Sequence, residues 1–379
     1  MIESPGFLLT IFSFLLVIGP LIFAHEYGHY IVGRWCGVKA EVFSIGFGRE
    51  IFGWTDRRGT RWKVSWMPLG GYVKFAGDMN PASQPTEEWK ALPPEERART
   101  FQAKALWQRF LIVLAGPLTN FLVAIGIFAA FFSMYGEPRT PTTVAAVAPQ
   151  SAAERSGLKS GDTIVSIDGQ GVERFEDIAP IVSIRPDETI TVEIRRGTQL
   201  ITLPVHLDAV TERDRFGNEF RKGQFGIAAT GRIIVPLAPG EVISAAFRHT
   251  RDIVSMMVET IWQVISGRRS VKELGGPLKI AQFSGQQATL GATALIEFMA
   301  MISINLGFIN LLPIPLLDGG HLFFYAVEAV RRRPLNPVIQ EWAFRSGMAL
   351  LLGLMLFVTL NDLMSFGLWD HLAGLIGRS

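Results

Sequence analysis

The chain has 379 residues, of which 49% are hydrophobic and only 18% are charged. Soluble globular domains carry about 25% charged residues, so this composition indicates a membrane protein. Lysine and arginine (36) nearly balance aspartate and glutamate (34), which leaves no overall basic field for nucleic acid. The single cysteine excludes an internal disulfide framework and a zinc site built from cysteines.

Four uncharged stretches predict transmembrane helices, since a helix needs about 20 apolar residues to cross the hydrocarbon core. They are Phe7–Ala24, Leu111–Tyr135, Phe298–Leu317 and Ser346–Asn361. The fourth is short, but Trp342 and Trp369 flank it as interfacial anchors. The first lacks the basic start and the small-residue cleavage site of a signal peptide, so we expect it to be retained as a span.

Basic residues predict the orientation of these spans. Residues 34–109 hold 13 lysines and arginines, and the link between spans three and four holds three consecutive arginines at 331–333. Positive-inside bias puts both links in the cytoplasm and leaves 136–297 in the periplasm of a bacterial inner-membrane protein. The predicted segments are a first span (1–33), a cytoplasmic-side loop with a β-hairpin (34–105), a second span (106–136), a periplasmic β-rich domain (137–232), an amphipathic helix and linker (233–290), a third membrane segment (291–333), and a fourth span with the C-terminal tail (334–379).

The periplasmic stretch reads as a β-rich module with strands at Thr189–Arg195 and Leu200–Leu207. Its sequence SGLKSGDTIVSIDG at 156–169 resembles a bacterial PDZ domain, a fold that binds peptides by adding a strand to a sheet edge. The triplet Phe225, Gly226 and Ile227 resembles the carboxylate-binding loop of permuted PDZ domains, which implies capture of peptide termini there. The alternative is a β-domain that serves only as a spacer or a steric lid.

Two further stretches carry structural expectations. Glu41–Gly48 and Arg61–Phe75 predict two strands of a hairpin that dips toward the membrane and offers an edge to an extended substrate. The alternative is a surface hairpin with aromatic interface anchors. Glu241–Gly267 predicts an amphipathic helix, packed on the β-rich module or lying on the membrane surface, and Thr86–Arg99 reads as a linker.

The motif that carries chemistry is the pentad HEYGH, with His25, Glu26 and His29. Histidines four positions apart share one face of a helix, so both can bind one cation. Zinc accepts such nitrogens and would polarise a scissile carbonyl, with Glu26 as the general base. Because the pentad ends an apolar span, where ionisable residues are costly, it predicts a functional site rather than a headgroup-facing cluster.

Two histidines leave the metal short of a third protein ligand. Asp318 follows the third apolar stretch, between Pro313 and Pro315 on one side and a glycine pair on the other, residues that break the helix. The first and third spans both run inward, so Asp318 reaches the same membrane depth as the histidines. His321 is a competing ligand, ranked second because a buried carboxylate needs a cation more than a neutral imidazole does.

Together the pentad, the PDZ-like module and the segment NLLPIPLLDGGH at 310–321 resemble the site-2 protease family of intramembrane zinc metalloproteases, in its RseP type (regulator of sigma-E protease). The resemblance implies one Zn²⁺ held by His25, His29 and Asp318, with Glu26 catalytic. It implies that Asn310 and Asn305 hold the substrate backbone and that the loop with Gly70, Gly71 and Tyr72 is a membrane-reentrant β-structure that contacts substrate. One departure is the single PDZ-like module, where the best-known RseP-type proteases carry two.

The expected fold is therefore a polytopic α-helical membrane protein with four transmembrane helices, a membrane-associated β-hairpin and one β-rich PDZ domain. The expected function is hydrolysis of peptide bonds in or beside the membrane segments of single-span proteins. By the resemblance, these substrates are anti-sigma factors or remnant signal peptides. Two alternatives are a membrane zinc peptidase acting on soluble substrates and a non-catalytic PDZ adaptor, which would have no need of Glu26.

Overall fold

The computed structural model describes residues 5–77, 89, 91–213, 219–268 and 275–365. It divides into two compact units. The helical unit comprises the described residues of Met1–Phe128, Ala246–Ser255 and Val271–Ser379, and the β unit those of Ala129–Ala245 and Met256–Ser270. The predicted anchor Trp369, the C-terminal tail from 366 and the start of the predicted linker at 86–88 lie outside the described residues.

The elements follow in chain order. The helices are α1 (Phe7–Trp35), α2 (Pro94–Arg97), α3 (Leu106–Tyr135), α4 (Ala152–Arg155), α5 (Ile178–Ser183), α6 (Val242–Ile265), α7 (Pro277–Leu290), α8 (Ala292–Leu311), α9 (Asp318–Arg331) and α10 (Pro337–Ser365). The strands are β1 (Ala40–Thr55), β2 (Arg61–Phe75), β3 (Glu137–Arg139), β4 (Val144–Val147), β5 (Thr163–Ile167), β6 (Gln170–Gly171), β7 (Thr189–Arg196), β8 (Gln199–His206), β9 (Asp208–Arg213), β10 (Glu219–Gln224), β11 (Ile227–Ala229) and β12 (Ile233–Val235).

Four helices in the described part of the chain, α1, α3, α8 and α10, are long and apolar enough to cross a membrane. The third one differs from its prediction at Phe298–Leu317, because α8 begins at Ala292 and ends at Leu311. Pro313 and Pro315 explain the early end, since proline lacks the N–H that a helix interior needs and disfavours helical backbone in the residue before it. The chain then runs as a non-helical segment over 312–317 before α9 begins at Asp318.

Strands β1 and β2 form more than a simple hairpin, because both bend sharply. Residues 40–45 of β1 pair with 71–75 of β2 on one side and with 61–64 on the other, while 50–55 pair with 61–65. The bends fall at glycines with positive φ: Gly46 at 88°, Gly48 at 87° and Gly70 at 151°. The result is a curled sheet of four segments in which 71–75 forms one edge, with no further strand among the described residues paired to it.

Helices α7 and α8 pack closely on α1. An apolar cluster joins Val17 and Leu21 of α1 to Leu295 and Ile302 of α8. Helix α7, which the sequence analysis treats only as linker, packs along α1, and its Gly285 lies against Thr10 so closely that a Cβ there would stand 2.7 Å from the threonine hydroxyl. The first span is therefore held on several sides by other helices.

The β unit has one apolar core of buried side chains, like that of a globular domain. Its main sheet has the order β6-β5-β7-β8, and β4 pairs with β11, β3 with β12 and β9 with β10. The sheet alternates buried apolar and exposed polar side chains, as a half-buried antiparallel sheet requires. Its core includes Ile164, Ile190, Val192, Ile194, Val205 and Leu207. Because β12 covers 233–235 and pairs with β3, the module extends past the boundary predicted at 232.

Candidate metal centre

His25 and His29 lie one turn apart on the same face of α1. His25 is buried and the His29 side chain is 12% exposed, and their Nε2 atoms stand 3.3 Å apart. The imidazole rings meet edge to face, with centroids 4.9 Å apart. The helical periodicity therefore brings the two imidazoles together, with their Nε2 nitrogens turned toward a common point.

Asp318, the first residue of α9, joins the two histidines. Its Oδ2 lies 3.1 Å from His25 Nε2 and 3.5 Å from His29 Nε2. Backbone constraints in the preceding segment bring it there: Leu316 has a φ of 85°, a conformation that is rare for a residue with a side chain and that often marks a functional site.

The glycine pair after Asp318 allows this segment to fold back on α9. A Cβ on Gly319 would lie 2.2 Å from the carbonyl oxygen of Leu312, and one on Gly320 would lie 2.5 Å from that of Ile314. No Cβ fits at those distances, so only glycine permits this approach. The motif that the sequence analysis reads as a helix break is thus also a site of tight backbone packing.

These three side chains fit a zinc ion. A tetrahedral zinc with ligands at about 2.0–2.1 Å places neighbouring donor atoms roughly 3.3 Å apart, which matches the spacings of 3.1–3.5 Å seen here. Asp318 Oδ2 is buried without a hydrogen-bond partner among the described residues, as expected of an atom that needs a cation. His29 Nδ1 contacts the main-chain oxygen of Ile112 at 2.8 Å, which fixes the tautomer whose Nε2 lone pair is free to bind metal.

His321, the competing ligand, lies elsewhere in the site. It lines the same cavity but does not belong to the group of metal-binding atoms, which are those of His25, His29 and Asp318, all within 4.8 Å of one another among the residues described. Its ring packs instead against Phe344, with centroids 4.8 Å apart. The geometry therefore favours Asp318 over His321 as the third ligand.

Glu26 lies beside the metal-binding group, on a cavity of about 470 Å³. Its side chain is 8% exposed and packs against strand β2, because a Cβ on Gly71 would stand 2.8 Å from Glu26 Cγ. Gly70 and Tyr72 line the same cavity, so the edge of the curled sheet and the carboxylate face one space. Such a space has room for an extended peptide beside the Glu26 carboxylate.

The sequence as a whole matches one family. The family description "Peptidase family M50" fits residues 13–354, most of the chain. The chain belongs to peptidase family M50. Two relatives whose names include the words zinc metalloprotease, from Agrobacterium fabrum and Rhizobium meliloti, are each 45% identical over 96% and 93% of this chain, and over 98% and 96% of their own lengths. Metalloprotease MmpA of Caulobacter vibrioides is 35% identical over 98% of this chain and 99% of its own.

Membership of the M50 family makes the chain a zinc metalloprotease with multiple membrane helices, as the sequence analysis expects. Among solved structures, the PDZ domain of an SdrC-like protein from Listeria monocytogenes is 20% identical over 24% of this chain and 87% of that one, with a TM-score of 0.20. A TM-score this low supports no conclusion, so the PDZ assignment of the β unit stays a prediction.

Of the other site residues predicted for this M50 chain, some line the cavity and others do not. Asn310 lines the cavity, whereas Asn305 is not among the described residues that line it. In the β unit, Phe225 is 4% exposed and belongs to the apolar core, so only its backbone can serve a peptide groove. Gly226 has a φ of 82° and accepts a hydrogen bond from the amide of Ala148, and Ile227 pairs with Val147. Peptide binding there stays a prediction.

Two residues of α3 face the histidines, although the sequence alone predicts no role for them. A Cβ on Gly116 would stand 2.2 Å from His29 Nε2, so glycine is what lets α3 approach this ring. Asn120, one turn further on, is fully buried and lies with its side-chain amide 3.1 Å from His25 Nδ1. The available signal was an asparagine within an uncharged stretch of 25 residues, where a polar side chain is costly and is retained for a reason.

Proposed function

We propose that this M50 metalloprotease hydrolyses peptide bonds within or next to the membrane segments of single-span proteins. The observation that carries the proposal is that His25, His29 and Glu26 belong to α1, a helix of membrane-spanning length, and share one cavity with Asp318 and with residues of the sheet edge. Ionisable groups at the end of an apolar helix are costly, so their presence there supports a functional site at membrane depth.

In the proposed mechanism, His25, His29 and Asp318 hold one zinc ion. When bound, zinc supplies Lewis-acid chemistry, which polarises the scissile carbonyl and makes water a stronger acid. Glu26 then takes a proton from the attacking water and passes it to the leaving amine nitrogen. The other side chains bind and orient the peptide.

A substrate helix must first open, because its internal hydrogen bonds shield the carbonyls. The edge of the curled sheet at 71–75 supports such opening, since no further strand in the described part of the chain pairs with it and an extended peptide can add there. Asn310 can satisfy backbone groups that lose their partners, and Asn305 is proposed with it on the family resemblance alone.

The natural substrates are proposed to be anti-sigma factors already cut on the periplasmic side, or signal peptides left after secretion. The positive-inside pattern supports an inner-membrane orientation with the metal site toward the cytoplasm and the β unit in the periplasm. In that place the β unit, as a PDZ domain, would bind peptide termini of substrates or exclude bulky ones.

The test uses the full-length protein in nanodiscs with a tagged single-span substrate of the anti-sigma type. Wild type and Glu26→Gln are compared, and the products are mapped by mass spectrometry. We expect a cut inside or beside the apolar segment, with the rate lowered at least 10²–10⁴-fold by Glu26→Gln while zinc stays bound. Cleavage only in soluble regions would support the peptidase of soluble substrates, and substrate binding without any cleavage would support the adaptor.

A further inference from the structure

Asn120 of α3 contacts His25 on the side of the ring that faces away from the proposed zinc ligands. Asn120 is fully buried, and its side-chain nitrogen lies 3.1 Å from His25 Nδ1, the ring nitrogen that faces away from the metal-binding group. A buried amide in an apolar helix needs partners, since an unsatisfied polar group there costs free energy. Its other heteroatom, Oδ1, is buried and has no hydrogen-bond partner among the described residues.

His25 can bind a metal through Nε2 only if its proton sits on Nδ1. In His29, the corresponding Nδ1–H donates a hydrogen bond to the main-chain oxygen of Ile112. His25 Nδ1 faces Asn120 instead, and an Nδ1–H cannot bond to an amide NH₂, because both groups are donors. The two ends of an amide have nearly the same shape, and the hydrogen-bond network decides which end faces a neighbour.

From these contacts we infer that Asn120 is a positioning residue: its side-chain oxygen accepts a hydrogen bond from His25 Nδ1–H and holds His25 in the metal-binding tautomer. Turning the amide by half a rotation brings the unsatisfied Oδ1 to the ring. This inference rests on the proposed zinc site and extends it to α3.

Asn120 lies at a buried contact between α3 and α8. Its main-chain oxygen accepts a hydrogen bond of 2.8 Å from the hydroxyl of Ser303, a fully buried residue of α8. Gly116 lies one turn earlier and admits His29, so residues four apart on α3 face histidines four apart on α1. One face of α3 thus supports both imidazoles, through close approach at His29 and through a side-chain acceptor at His25.

The test measures zinc affinity of the full-length protein in detergent by competition with a chromophoric chelator. Asn120→Leu keeps the volume but cannot accept a hydrogen bond, and we expect its zinc Kd to rise 10–100-fold, the usual cost of losing such an outer contact. Asn120→Asp can only accept, and we expect an affinity close to that of wild type. Visible absorption of the Co²⁺-loaded protein gives a second readout that does not depend on activity.

Two further variants separate the possible failures. Ser303→Ala removes a polar contact at the same helix interface without touching the Asn120 side chain, and it should bind zinc like wild type. Asn120→Leu with wild-type affinity, Asn120→Asp as weak as Asn120→Leu, or Ser303→Ala equally weak would each overturn the inference. His25→Ala should bind zinc more weakly than any of them; if it binds like wild type, the proposed zinc site itself is wrong.

Discussion

The helical unit and the β unit differ in which side chains they bury. In the β unit, Ile190, Val192 and Ile194 are at most 1% exposed, and ionic groups lie mainly toward water. In the helical unit, leucines of α10 such as Leu350 are exposed by about 60%, whereas Asn120 and Asp362 are fully buried. This pattern is typical of a protein surrounded by lipid, because apolar side chains can face lipid and polar ones need partners inside the protein.

The difference also shows where glycine matters. Glycines of both units lie where a Cβ would overlap a neighbour, as at Gly116 in the helical unit and at Gly223 and Gly226 in the β unit. At Gly116 the neighbour is a ring of the metal-binding group, so the site depends on the close approach of two helices, whereas Gly157 and Gly169 of the β unit serve turn conformations with positive φ.

The largest effect is expected at Gly116. Alanine there places a methyl group 2.2 Å from His29 Nε2, so α3 or the ring must move and the metal-binding group opens. We expect Gly116→Ala to lose zinc on purification and to have no measurable protease activity. Gly126→Ala is the matched control on the same helix, since its Cβ would meet nothing within 4 Å. Zinc content per chain distinguishes the two, and equal loss in both would contradict this account of helix approach.

A smaller effect is expected at Gly319, which follows the proposed ligand Asp318. A methyl group there would meet the Leu312 carbonyl at 2.2 Å, and overpacking of this kind costs about 1–3 kcal/mol when the backbone can shift. We expect Gly319→Ala to weaken zinc binding at least tenfold while the protein stays folded. Gly353→Ala in α10, where a Cβ meets nothing within 4 Å, is the control. Chelator competition measures both, and unchanged affinity in Gly319→Ala would show that Asp318 does not depend on this turn.

The smallest effect is expected in the β unit, at the ion pair of Asp162 and Arg196. Two hydrogen bonds of 2.7 Å from the Arg196 guanidinium hold the pKa of the Asp162 carboxyl below its usual value. Because the pKa is lowered in the folded state, the pair stabilises the unit above about pH 4, and this stabilisation is lost as the pH falls through the lowered pKa. Asp162→Asn should cost about 1 kcal/mol near neutral pH.

Hydrogen exchange of the full-length protein checks this prediction. Amides of β5 and β7 should exchange faster in Asp162→Asn, and the difference from wild type should shrink in acid. Zinc affinity should stay at the wild-type value. If the variant exchanges faster than wild type by the same factor in acid as at neutral pH, the assigned ion pair is wrong. A loss of zinc would contradict the view that this ion pair stabilises only the β unit.

How much of this could be read from the sequence depends on the range of the contacts. The pairing of His25 with His29 follows from helical periodicity, and the apolar stretches mark the spans, because both signals are local. The third membrane helix ends six residues before its predicted end at Leu317, because Pro313 stops the helix while the uncharged stretch continues to Leu317. Helix α7 is not predicted because its packing on α1 is not visible in the sequence, and the curled four-segment sheet is not predicted because its pairing is non-local.

Within the site, the same distinction holds. Asp318 could be proposed from composition and topology, since a carboxylate beside prolines and glycines at a span end is an unusual pattern. Gly116 and Asn120 could not be assigned a role, because nothing local says which face of α3 meets the histidines. Their importance appears only when the distance between the two helices is known.

The most direct test of the central claim is X-ray absorption at the zinc edge on the purified full-length protein. We predict only nitrogen and oxygen ligands at about 2.0–2.1 Å, with the outer scattering of two imidazoles. Asp318→Ala should lose one light-atom ligand or the zinc altogether, whereas His321→Ala should leave the spectrum unchanged. A sulfur ligand at about 2.3 Å, or a spectrum altered by His321→Ala and unaffected by Asp318→Ala, would contradict the assignment of His25, His29 and Asp318 as the zinc ligands.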